Sequence, residues 1–292
     1  MMGKFRNVTS IFLLAGCVAA SGSVAYAQAG QSQPPQQPTT QNKDQKPADT
    51  GSSLDIPKAQ SPSTPEEDAA FKAYQAMPTA DPAKKITAGE DFLTKYPESR
   101  YRSIMYSSLV FAYIQTGNSQ KAQEIGEKEV ALKPDDVQTM AILSQTMTRS
   151  ISSSTPEPAK VLAKAQDYAK RAIEVTPTIA KPDGMTDENF VVAKNQTLAM
   201  AHGGLGLAYF RLGKVDAAIP ELEQSVKIDP NPTPDVVNFY LLGMANQKAS
   251  HFDAAAAAYT KCASIASSVQ DKCKAGVEES KKQGATQLSA PK

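Results

Sequence analysis

The residues of this 292-residue sequence best suited to chemistry are two histidines and three cysteines, and their spacing rules out most of what they can do. His202 and His251 have no acid or thiol at helical spacing. Neither completes a metal site or activates a nucleophile, and a lone histidine is more often a packing or surface residue. No serine, cysteine or carboxylate pair falls at a catalytic spacing either, so the chain reads as a non-enzyme, with no cofactor and no metal expected. The stretch "HGGLG" at 202–206 invites comparison with a phosphate-binding loop, but no strand precedes it, and Gly213-Lys214 lacks the upstream glycine and the following Ser or Thr of a P-loop. Three glycines inside a helix cost on the order of 1 kcal/mol each relative to alanine. Close approach of a neighbouring backbone or of a ligand would offset that cost, and packing is the preferred reading.

The cysteines divide by context. Cys17 lies where Lys4 and Arg6 precede an apolar run at 11–20, about half of the ~20 residues needed to span a bilayer, with small residues beyond it. That is the plan of a secretory signal. Ala25-Tyr26-Ala27 offers a cut that releases a soluble chain beginning at Gln28. Leu14-Ala15-Gly16-Cys17 resembles a bacterial lipoprotein signal, whose cut leaves Cys17 first and lipidated. The longer apolar run favours the cut between Ala27 and Gln28, hence an exported, periplasmic protein. The alternative is an outer-membrane lipoprotein that meets the membrane only through Cys17. Under either cut Cys262 and Cys273 remain as an even pair in an oxidising compartment.

The elements that hold these residues follow from composition. Lysine plus arginine (31) nearly balance aspartate plus glutamate (30), and loss of Lys4 and Arg6 with the signal turns a net charge of +1 into −1. No nucleic-acid partner is expected. There is no tryptophan, and alanine is abundant from Ala69 onward, which favours close-packed helices. Residues 28–63 are rich in Gln, Pro and Ser with almost nothing apolar, and read as a disordered linker that as a flexible coil spans roughly 30 Å. Folded structure is expected over 64–283, with a flexible tail at 284–292. It opens at Thr64, an N-cap followed by Pro65 and two acids.

One helix–turn–helix plan then recurs. In "LGLAYFRLGKVDAAIPELEQSVKIDP", Leu205-Gly206, Ala208-Tyr209, Gly213, Ala218-Ile219, Leu222, Ser225 and Pro230 fall at a spacing that resembles the tetratricopeptide repeat, with His202 where that family usually has tryptophan. A second copy carries Phe239, Leu242-Gly243, Ala245, Ala255, Tyr259 and Cys262. A third carries Tyr106, Leu109, Ala112-Tyr113, Gly117, Ala122 and Pro134, while Gly126 and Glu129 depart from the pattern. Two degenerate copies complete units at about 64–97, 103–134, 137–177, 187–230 and 236–267. The resemblance implies an all-α fold, an α-α superhelix forming a right-handed solenoid, closed by a capping helix at 270–283.

It also implies a function, non-covalent binding of a protein or peptide partner. First helices of this family line a concave groove, and the groove-facing positions here are Ile104, Ser107, Phe111 and Ile114, then Leu207, Phe210 and Arg211, then Val237, Tyr240, Met244 and Lys248. These are largely apolar, which suits an amphipathic helix or extended segment, unless the protein itself covers them. In one continuous helix Cys262 and Cys273 would lie about 16 Å apart, too far for a bridge. "ASSVQD" between them reads as the turn from the last repeat helix into the cap, and antiparallel helices there would pair them in a disulfide. One element exceeds the repeat: a helix from Asp187 to about Leu212, ~39 Å long, whose extra turns serve as a second docking surface or as a flap on the preceding unit.

Overall fold

The structure is a computed structural model that describes residues 63–289. Cys17, the cleavage site at Ala27 and Gln28, and nearly all of the expected linker lie outside the described residues. Those residues form eleven α-helices and one 3-10 turn, with no strand among them. Ten of the helices make five hairpins: α1 (Pro65–Gln75) with α2 (Pro82–Lys95), α3 (Arg102–Gln115) with α4 (Ser119–Leu132), α5 (Val137–Ser150) with α6 (Pro158–Val175), α7 (Asp187–Arg211) with α8 (Val215–Ile228), and α9 (Val236–Lys248) with α10 (Phe252–Ala263). The last helix, α11 (Gln270–Ser289), packs on α10 and α9.

Local chemistry sets these boundaries. The Thr64 hydroxyl accepts the Glu67 amide at 3.2 Å, and Asp81, Asn118, Asp136 and Thr186 cap α2, α4, α5 and α7 in the same way. In three of the five hairpins a short turn contains one residue in the left-handed region. Gly117 (φ 75°) and Gly213 (φ 74°) supply it between α3 and α4 and between α7 and α8, whereas Ser250 (φ 63°) occupies the equivalent place between α9 and α10. In the third unit residues 151–157 lengthen the connection, as the run of serines there leads one to expect.

No single core holds the array together. Phe71, Tyr74, Phe92 and Met105 pack across α1, α2 and α3. Leu109, Val110, Tyr113, Ile125 and Ile142 pack across α3, α4 and α5. Further clusters bridge α5, α6 and α7, then α7 to α10, then α9 to α11. Each hairpin thus covers the apolar face that its neighbour leaves open, which is how a repeat array gains stability that one unit lacks. The fold is an all-α superhelix of helix pairs.

The stretch 284–289, expected in the tail, continues α11 instead. Gln283 donates to Glu279 and accepts from Gln247 of α9, and Gly284 lies against Phe252, so contacts with the preceding hairpin carry the helix past its expected end.

Candidate functional site

The junction around α7 decides which expected groove positions remain accessible. Within one turn, three glycines of α7 face three different helices. A Cβ on Gly203 would stand 2.7 Å from the Asn238 side chain of α9, one on Gly204 would stand 2.9 Å from the Gln145 backbone nitrogen of α5, and one on Gly206 would stand 2.7 Å from Leu222 of α8. Gly204 lets the α5 and α7 backbones approach more closely than a side chain allows, while Gly203 and Gly206 make room for the Asn238 and Leu222 side chains, so the glycine run serves packing. Met200, one turn earlier, packs against the clusters of both the second and the third unit. The inner half of the α7 extension is therefore a flap on the preceding hairpins, while Val191 and Val192 near its start remain exposed.

Polar side chains tie the same junction. Arg149 of α5 pairs with Asp235, the N-cap of α9, and also donates to Asn238 at 3.3 Å. Asn238 donates to the Ser225 hydroxyl at 2.9 Å, and Ser225 donates to the Ala199 carbonyl at 2.7 Å. This chain links α5, α7, α8 and α9. It joins side chains far apart in sequence, so no local spacing announces it.

The expected groove residues consequently separate into two sets. On α3, only Ile104 is well exposed (51%). Ser107 donates to Asp136 at 3.3 Å, and Phe111 and Ile114 pack half-buried on the core between α3 and α5. On α7 and α9, Phe210, Val237, Tyr240 and Met244 are half-buried, and Arg211 and Lys248 are exposed. The Lys248 ammonium lies 5.7 Å from the centre of the Phe210 ring, so the ends of α7 and α9 meet there. Leu207 does not line a groove. It is buried among Ala218, Leu222, Leu241 and Ala245, because α7 has α8 and α9 on that side and the leucine fills the space between them.

The other singled-out residues take structural places. His202 is hydrogen-bonded through Nδ1 to Glu221 of α8 at 2.6 Å, and exposed His251 stands at the N-terminus of α10. Cys262 and Cys273 form a disulfide with Cα atoms 5.8 Å apart, both fully buried. Beside it the Tyr259 ring lies between Gly243 of α9 and Gly276 of α11, and burial raises its hydroxyl to about 12. Among the described residues no cluster of three or more His, Cys, Asp or Glu side chains could hold a metal ion.

Sequence reasoning noted one group only as a departure from the repeat pattern. Glu129, on α4, is fully buried; Ser103 donates to one of its oxygens, and the other has no partner. Burial is the main reason its carboxyl rises to about 7, and the neighbouring Asp136 carboxylate pushes it further in that direction. Its departure from the repeat pattern was the available signal. Nothing in its own helix shows that α3 and the start of α5 close over it.

A stack of helix hairpins, each completing the core of the next, defines a helical-repeat scaffold. Residues 199–232, which include the α7–α8 turn, match the family model of the tetratricopeptide repeat. Residues 199–232 are thus a tetratricopeptide repeat, and the array of helix hairpins around it supports a scaffold for protein–protein interaction. No curated protein matches it. Among solved structures, it is similar to a thermophilic TPR protein of Thermus thermophilus, at 19% identity over 73% of this chain and 98% of that one, with a TM-score of 0.46. It is also similar to PilW, a widely conserved type IV pilus biogenesis factor (14%, 77% and 93%, TM-score 0.49), and to MamA (17%, 77% and 97%, TM-score 0.41).

Proposed function

We propose that the chain is an exported, non-enzymatic scaffold of the bacterial cell envelope that holds a protein or peptide segment on the face formed by the C-terminal half of α7 and by α9. The observation that carries this reading is the half-buried strip of Phe210, Val237, Tyr240 and Met244, bordered by exposed Arg211 and Lys248. Large apolar side chains left partly open beside polar ones are what a bound segment requires. The signal-like first 27 residues support export, and so does the disulfide, which persists in oxidising compartments. Leu14-Ala15-Gly16-Cys17 supports a second reading, a lipid-anchored structural or assembly component of the outer membrane.

Site-specific photo-crosslinking in the native cell tests the binding face. A crosslinker at Tyr240 or Met244 is expected to trap a discrete partner, and one at Lys261 on α10 is expected to trap none. Trapping from position 261 alone overturns the assignment. Mass spectrometry of the mature N-terminus separates the two locations: Gln28 first supports the free form, and lipidated Cys17 supports the anchored one.

A further inference from the structure

The distribution of charge between the first and second helices of the hairpins says what kind of segment suits this face. α1 carries Glu66, Glu67 and Asp68, but of the later first helices α3, α5 and α9 contain no aspartate or glutamate, and α7 contains none after Glu188. The same four helices carry Arg102, Arg149, Lys194, Arg211 and Lys248. Second helices hold both signs: α4 has Glu124, Glu127 and Glu129 beside its lysines, and α8 has Asp216, Glu221 and Glu223. Of the cations on α3, α5, α7 and α9, Arg102 pairs with Glu98 and Arg149 with Asp235, while Lys194 donates to the Pro177 carbonyl. Arg211 and Lys248 have no carboxylate partner among the described residues, and both are exposed.

One of these cations lies over an aromatic ring, and the other is the ring's neighbour in sequence. Lys248 sits over Phe210, and Arg211 follows Phe210 in sequence. From there Met244, Tyr240 and Val237 run back along one face of α9, a strip of about 16 Å at 1.5 Å per residue. An extended segment of about five residues spans that length. We propose that the α7–α9 face selects an internal peptide segment in which two or more large apolar side chains are followed, within about five residues, by aspartate or glutamate. The apolar side chains lie on Tyr240 and Met244, and the carboxylates meet Lys248 and Arg211. This rests on the reading that the face is where a partner sits, and it adds the partner's chemistry.

The test is selection from a random twelve-residue peptide library displayed inside a loop, so that no free chain end is offered, on the purified full chain. Acidic residues next to Leu, Ile, Phe or Tyr are expected to be enriched, and replacing the acids of a selected peptide by lysine is expected to weaken binding about tenfold, the sum of two exposed charge pairs gained and lost. Binding should also weaken as salt rises. The double variant Arg211→Glu with Lys248→Glu should shift enrichment toward Lys and Arg. Loss of enrichment in Phe210→Ala with Tyr240→Ala places the peptides on this face. If selected peptides need Phe210 and Tyr240 but show no acidic bias, or keep that bias in the double-Glu variant, the charge proposal falls and the binding face stands. If no sequence is enriched, or enrichment ignores both variants, both fall.

Discussion

Gly204 of α7 and Gln145 of α5 meet backbone to backbone: a Cβ at position 204 would lie 2.9 Å from the Gln145 nitrogen and 3.0 Å from the Ser144 carbonyl carbon. Backbone atoms cannot step aside as a side chain tip can. Gly204→Ala should therefore separate α5 from α7, and its overpacking of typically 1–3 kcal/mol outweighs the ~1 kcal/mol that alanine gains in helix propensity. Net destabilisation of up to about 2 kcal/mol is expected by denaturant titration. Gly284→Ala is the control, because its Cβ would meet only Phe252 at an ordinary 3.4 Å, and it should be neutral or stabilising by up to about 1 kcal/mol. Equal effects from the two substitutions would mean that the close approach of α5 and α7 is not what position 204 provides.

Glu129 makes stability depend on pH. Its carboxyl is raised from 4.5 to about 7 in the folded chain, so folding takes up a proton between those values. The sign follows: relative stability is greatest below about 4.5, falls as pH rises through the window, and levels off above about 7. The loss is at most on the order of 3 kcal/mol, at ~1.4 kcal/mol per pH unit. Its neighbours are the Ser103 hydroxyl from α3, Lys133 at the end of its own helix, and Asp136 at the start of α5, while Arg171 of α6 donates to Pro134 in the same turn. In Glu129→Gln the amide stays neutral throughout. The difference in unfolding free energy between variant and parent should grow between pH 4.5 and 7 in favour of the variant, and titrating groups not coupled to Glu129 cancel in that difference. A flat difference curve would show that Glu129 ionises normally.

That glutamate also marks where sequence reasoning stopped. The caps at Thr64 and Thr186, the hairpin turns at Gly117 and Gly213, and the apolar positions of each unit are local signals, read within one turn of helix. The disulfide was legible because a turn lies between its cysteines. Glu129, Leu207 and the Arg149–Asp235 pair depend on which helix lies across from them. Leu207 looks outward when α7 is paired with α8 alone, and becomes interior once α9 is laid beside it. The continuation of α11 was hidden for a similar reason, since Gln247 and Phe252 belong to the previous hairpin.

Ser250 has a left-handed backbone (φ 63°) where Gly117 and Gly213 stand in two other units. An L side chain there costs roughly 1–2 kcal/mol, partly offset by the lower entropy of unfolded serine relative to glycine. Ser250→Gly is expected to stabilise the chain by about 0.5–1 kcal/mol. Gly213→Ala, the reverse change at the equivalent turn, is expected to destabilise by about 1–2 kcal/mol. Thermal unfolding of the two variants side by side checks both signs, and a destabilised Ser250→Gly would mean that the serine makes a compensating contact.

Two of the contacts that hold α11 to the last hairpin separate experimentally. The disulfide between Cys262 and Cys273 closes a short loop, for which constraint of the unfolded chain contributes about 2–3 kcal/mol. Independently, the Tyr259 ring lies against Gly276, where a Cβ would stand 2.7 Å from a ring carbon. The paired substitution Cys262→Ala with Cys273→Ala should lower stability by that 2–3 kcal/mol, and hydrogen exchange should show α11 losing protection before α7, since a repeat array frays from its ends. Gly276→Ala keeps the disulfide but pushes the helix off the ring. It should accelerate exchange in the middle of α11 while leaving the segment around Cys273 protected. If both variants open α11 uniformly, the helix is held as one cooperative unit and the two contacts are not separable.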